Sequence, residues 1–122
     1  MQKYEIITDQ EDENYGRIKA LTDFSDVKKG DIGGKIDNYD NLSQEGDCWV
    51  SINAQISGNA KVYDNARIFG DARIFGDAEV YGSAWVYGNA TVYDNAKVYV
   101  NAWVSGSAEV YGSAKVYEDT EV

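Results

Sequence analysis

The sequence contains no histidine and no proline, only one cysteine, Cys48, and about half as many basic as acidic side chains, 11 against 21. Each shortage removes a class of function. Without imidazole the chain lacks the commonest general base near neutral pH, the commonest metal ligand and every triad built on histidine. A single cysteine cannot form an internal disulfide, which fits a reducing compartment. The formal net charge of -10 repels phosphate backbones, so DNA or RNA binding is not expected. No apolar run reaches the ~18 residues of a membrane span, and MQKYEIITDQ has no basic-then-apolar signal pattern. A soluble, cytoplasmic protein with no membrane contact is the expectation.

Hydrophobic residues make up 43% of the 122, with ten Tyr, three Trp and twelve Gly, which argues against disorder and allows one small core. An internal repeat dominates the chain. From Gln44 to Glu121 it divides without insertion or deletion into 13 blocks of six, of which VYDNAR, IFGDAR and VYGNAT are examples. The first place is Val or Ile in every block except QEGDCW. The fifth is Ala in 11 blocks, replaced by Cys48 and Thr120 near the two ends.

A period of six fits neither a helix nor a long strand, and reads as a very short strand followed by a turn. In a triplet such as Lys61-Val62-Tyr63 the β-branched residue points inward and its neighbours outward. Gly, Asn, Asp and Ser at the third and fourth places supply corners, and the alanine turns back inward where only a small side chain fits.

The recurrent pattern of an aliphatic residue and a small residue four places on, as in Val62 and Ala66, resembles the hexapeptide-repeat family, over about two-thirds of the chain. That resemblance implies an all-β fold, a left-handed parallel β-helix in which three blocks form one triangular coil. Thirteen blocks then give about four coils, a three-sided solenoid about 20 Å long. Residues 1–43 lack the hexad and read as a small N-terminal β cap, ahead of a β-helix at 44–122. Two strands are expected in the cap, Tyr4 to Thr8 and Arg17 to Phe24, joined by an acidic turn from Gln10 to Gly16, with Gly30, Gly33 and Gly34 marking turns. The stretches 23–34 and 41–46 also resemble the N-terminal part of uncharacterised hexapeptide-repeat proteins of gut bacteria and their phages.

Well-known hexapeptide proteins are acyltransferases that use a histidine and a loop extruded between hexads; this chain has neither, so no enzyme activity and no cofactor are expected. Cys48 sits at an inward small-residue place and reads as a buried thiol. Stacking residues 18 apart sets Asp77 between Asn59 and Asn95, and Asp71 between Asn53 and Asn89. Carboxylates spaced by amides suit hydrogen-bonded corners, and no metal site is expected.

The same spacing sorts the exterior into three faces. One stacks Trp49, Arg67, Trp85 and Trp103, beside Phe69 and Tyr87. A second stacks Gln55, Arg73, Thr91 and Glu109. The third stacks Lys61, Glu79, Lys97 and Lys115 beside Tyr63, Tyr81, Tyr99 and Tyr117. Like side chains on adjacent strands stabilise a sheet by roughly 0.2–1 kcal/mol per pair, which accounts for the tyrosines. Three tryptophans on one face have the composition of a binding surface, so Trp49, Arg67, Phe69, Trp85, Tyr87 and Trp103 are the candidate binding residues, with Arg67 able to stack between Trp49 and Trp85.

The expected function is structural or binding, through self-association or a protein partner on the Trp face. The resemblance implies a homotrimer. An end-to-end contact at the C-terminal coil is a further expectation. The alternative is a phage-encoded inhibitor that sequesters a host protein or a small ligand.

Overall fold

The computed structural model describes residues 2–8, 16–118 and 121–122. Every hexad in the described range makes a two-residue strand whose second member, the Val or Ile, is buried, and then a corner. Position two accepts a backbone hydrogen bond from the alanine three residues on, as in Ala66 N to Tyr63 O at 3.4 Å. The third place between them takes positive φ, +60° at Asp64 and +65° to +70° at Gly70, Gly76, Gly82 and Gly88. Gly adopts that backbone freely and Asp tolerates it, which is why they recur there; Val100 and Glu118 hold it too, and Ile52 alone among the third places lacks it.

The strands stack in parallel, 18 residues apart, in three sheets. The tryptophan sheet contains Trp49–Val50, Arg67–Ile68, Trp85–Val86 and Trp103–Val104. The lysine sheet contains Lys61–Val62, Glu79–Val80, Lys97–Val98 and Lys115–Val116. The mixed sheet contains Gln55–Ile56, Arg73–Ile74, Thr91–Val92 and Glu109–Val110, extended by strands from the N-terminal region. Each turn donates amides to carbonyls of the next, as in Ser57 N to Ile74 O (2.9 Å) and Asp71 N to Gly88 O (2.7 Å), so strands and corners are both satisfied. Inside, the first-place aliphatic residues from Val50 to Val104 are at most 1% exposed and pack against the fifth-place alanines from Ala54 to Ala102.

The stack has about five turns, one rung more than the 13 hexads supply. Strand β3 (Ile32–Ile36) pairs in parallel with Gln55–Ile56, and Leu42 bridges Val62. Ile36 and Leu42 lie twenty residues before their partners instead of eighteen, which hides them from the hexad register. Gly33 and Gly34 lie within β3 and are not turns. A Cβ on Gly33 would come within 2.5 Å of Val50 O, and one on Gly34 would strike Ala54 O and Ser51 O. Gly30, at φ +95°, does make a turn.

Strands β1 (Tyr4–Thr8) and β2 (Gly16–Ala20) pair antiparallel, and β2 pairs antiparallel with β3. β2 ends at Ala20 rather than Phe24: Leu21 N carries the β1 register one residue further, to Lys3 O (2.8 Å), and the chain then enters a tight turn closed by Phe24 and Val27. Residues 10–15 of the expected acidic turn lie outside the described residues.

β1 is held to the first turn by polar contacts. Lys3 N and Tyr4 N donate to Gln44 Oε1 (2.7 and 3.1 Å), and Tyr4 Oη donates to Leu42 O (2.5 Å). Buried Asn41 accepts from Asp37 N and Asn38 N and donates to Ala60 O (2.8 Å) and Gly58 O (3.2 Å), so its amide is fully used.

Candidate functional site

The tryptophan sheet sets Trp49, Arg67, Trp85 and Trp103 in register one above another, and Glu121 bridges Trp103 beyond them. Alternation along each short strand turns these side chains outward while Val50, Ile68, Val86 and Val104 fill the interior. Phe69 and Tyr87 stack beside them with centroids 4.7 Å apart, and Phe69 meets Trp85 edge-on at 5.8 Å. Trp85 and Trp103 stack at 5.1 Å with rings 4° from parallel.

The six candidate residues therefore share one sheet, but they do not share one environment. Trp85 and Trp103 are 39% and 38% exposed, whereas Trp49 is only 7% exposed. Its cover comes from a tight hairpin in which Phe24 and Val27 exchange backbone hydrogen bonds (3.0 and 2.8 Å). The Phe24 ring packs edge-on against Trp49 at 5.4 Å, and Lys3 Nζ lies 4.9 Å over the same phenyl ring.

Arg67 is drawn into the same hairpin. Its guanidinium pairs with Asp26 at 2.7 Å and donates to Ser25 Oγ. The guanidinium is thereby turned toward the hairpin instead of stacking between Trp49 and Trp85 as the register allows. A groove of about 700 Å³ opens beside Arg67, lined by the Ser25–Asp26 turn, Asp47, Asn65, Phe69, Ser83 and Trp85. The sequence marks the tryptophans but not Phe24, Ser25 or Asp26. The order Phe-Ser-Asp-Val signals a tight turn, and nothing local names the surface it covers.

The lysine sheet offers less. Tyr63, Tyr81, Tyr99 and Tyr117 form an unbroken stack at 4.8, 5.0 and 5.3 Å, flanked by the Glu79–Lys97 pair at 3.9 Å. Partial burial, and then neighbouring Glu79, push the Tyr63 phenol up to about 12.

Cys48 is buried beneath β1, where Lys3 Nζ donates to Cys48 O (2.8 Å) and Gly46 O (3.2 Å) and reaches Cys48 Sγ at 3.4 Å. Burial pushes the thiol above its ordinary pKa and pulls the ammonium below its own; the proximity of each to the other opposes both shifts. A protonated, inaccessible thiol is a poor nucleophile, so Cys48 serves packing. At the corners, Asp64 and Asp94 accept the amides of Gly82 (3.1 Å) and Gly112 (3.0 Å), and Asn65 accepts that of Asp47 (3.1 Å).

Residues 72–88 and 84–99 match the family model of the YdcK beta-solenoid repeat. The chain is a repeat β-solenoid. The matched segment crosses all three sheets and includes Trp85 and Tyr87. No curated protein matches the chain. On the open part of the tryptophan sheet, exposed apolar side chains and a groove coincide.

Proposed function

We propose that this β-solenoid is a non-catalytic association protein that binds a second copy of itself through the open half of the tryptophan sheet. The carrying observation is the stacked Trp85–Trp103 pair, more than a third exposed and backed by Phe69 and Tyr87. Large aromatic side chains rigidified by their neighbours lose little entropy on contact, which is why they dominate binding energy at interfaces. Charge on the sheet is sparse: its one basic side chain, Arg67, is matched by Asp26, and Glu121 stands at the far edge beside Trp103. Copies that each carry -10 repel one another, which favours contact where charge is sparse.

The hexapeptide resemblance supports a left-handed coil and a three-fold assembly. Cytoplasmic location and a bacterial or phage source belong to the same reading, supported by the lone cysteine and by the resemblance of 23–34 and 41–46.

Light scattering over a range of concentrations tests it. The native chain should give a discrete oligomer, and a Trp85→Ser, Trp103→Ser variant should give a folded monomer. A native chain that stays monomeric at all concentrations would move the contact to a foreign protein.

A further inference from the structure

Aromatic stacking runs unbroken down the lysine sheet, and down the mixed sheet through Phe75, Tyr93 and Tyr111 at 5.0 and 5.4 Å. On the tryptophan sheet the outer column Trp49, Arg67, Trp85, Trp103 is interrupted at Arg67. At the Arg67 rung the side chain that would fill the column is held away by Asp26 and Ser25, and the 700 Å³ groove opens there. One rung of a parallel stack is about 4.8 Å, close to the thickness a single ring needs against an indole face.

We propose that this groove binds a neutral sugar, with one pyranose ring seated against Trp85. A pyranose has a face of C–H groups and a rim of hydroxyls that both donate and accept. The indole supplies an apolar face for the first. The Arg67–Asp26 pair supplies fixed donors and acceptors for the second, with the Asn65 amide and the Ser25 and Ser83 hydroxyls beside it. The volume falls in the roughly 300–1,000 Å³ range of small-ligand sites. Phosphorylated or carboxylated ligands are disfavoured, because Asp26 and Asp47 line the groove of a chain that carries -10 overall. Apolar and polar surface line the groove in about equal measure, which matches a ring with one C–H face and a hydroxyl rim.

The inference does not depend on self-association. The groove shares Trp85 and Phe69 with the self-association face, so sugar and a second copy compete for it, but Trp103 lies outside the groove and a change there separates the two readings. Saturation-transfer NMR of the full chain with the methyl glycosides of glucose, galactose, mannose and N-acetylglucosamine should show transfer to the ring protons of at least one of them. Trp85→Leu should abolish it, and Trp103→Leu should retain it while weakening any oligomer. Asp47→Lys, at an exposed position in the groove lining, places a long side chain in the groove and a second cation in competition with Arg67 for Asp26, so it should weaken binding at least about tenfold without touching the core, and serves if Trp85→Leu does not fold. No transfer to any of the four glycosides overturns the proposal. So does transfer that survives both Trp85→Leu and Asp47→Lys, or transfer lost equally in Trp103→Leu.

Discussion

Val100 stands at the third place of its hexad with φ +61° and 43% of its surface exposed. Its stack neighbours 18 residues away are Gly82 and Glu118, and Asp64 lies one turn further, all with positive φ. The left-handed region costs an L-residue roughly 1–2 kcal/mol, and a β-branched side chain has no local hydrogen bond to offset it. Asparagine tolerates this backbone and holds its neighbours by side-chain hydrogen bonds, as Asp64 does with Gly82 N. Val100→Asn should therefore stabilise the fold by about 1 kcal/mol, read as a higher urea midpoint at unchanged slope. An unchanged or lower midpoint would show that the valine side chain repays its strain through packing.

At the level of elements, the hairpin at 23–27 matters most, because it divides the tryptophan sheet into a sealed and an open part. Phe24→Ala should expose Trp49 and cost about 2–3 kcal/mol, less than a fully buried phenylalanine because Phe24 is half-buried. In a Trp85→Phe, Trp103→Phe background the remaining Trp49 emission should shift to the red and become quenchable by acrylamide. Emission unchanged by Phe24→Ala would mean that other groups seal Trp49. This element also shows where sequence reading stops. The hexads expose their own inside, outside and corners, because each place repeats 13 times and Val62 or Ala66 can be recognised from its position alone. β3 was obscured because Gly33 and Gly34 resemble turn formers. They are glycine because Val50, Ser51 and Ala54 carbonyls press on them, a contact between residues far apart in sequence. Trp49 was legible as outward-facing, correctly, but its cover lies 25 residues earlier in a segment without the repeat.

For the whole molecule, alkaline stability follows from the phenols. Tyr4, desolvated beneath Leu42, and Tyr63, partly buried beside Glu79, both have pKa values raised above the ordinary 10. The folded state thus keeps protons that the unfolded state releases above pH 10, and their contribution, fully present below that pH, is lost as pH rises through about 12 at Tyr63. Cys48 acts in the same sense and Lys3 in the opposite one, since burial raises the first and lowers the second. The urea midpoint should fall between about pH 9 and about pH 11, and Tyr4→Phe should lessen the fall while costing about 1 kcal/mol at the lower pH through the lost bond to Leu42 O. A fall of the same size in Tyr4→Phe would remove Tyr4 from the account. The parallel register has a consequence of another kind. Because three hexads close one turn, length and azimuth are separate variables in this sequence. Inserting eighteen residues lengthens the rod by about 4.8 Å and leaves the tryptophans aligned. Inserting six rotates every downstream face by a third of a circle and carries Trp103 to another side. A gene for this chain can thus grow by whole turns without disturbing what its surface presents, while a single-hexad slip redraws that surface and leaves the core pattern intact.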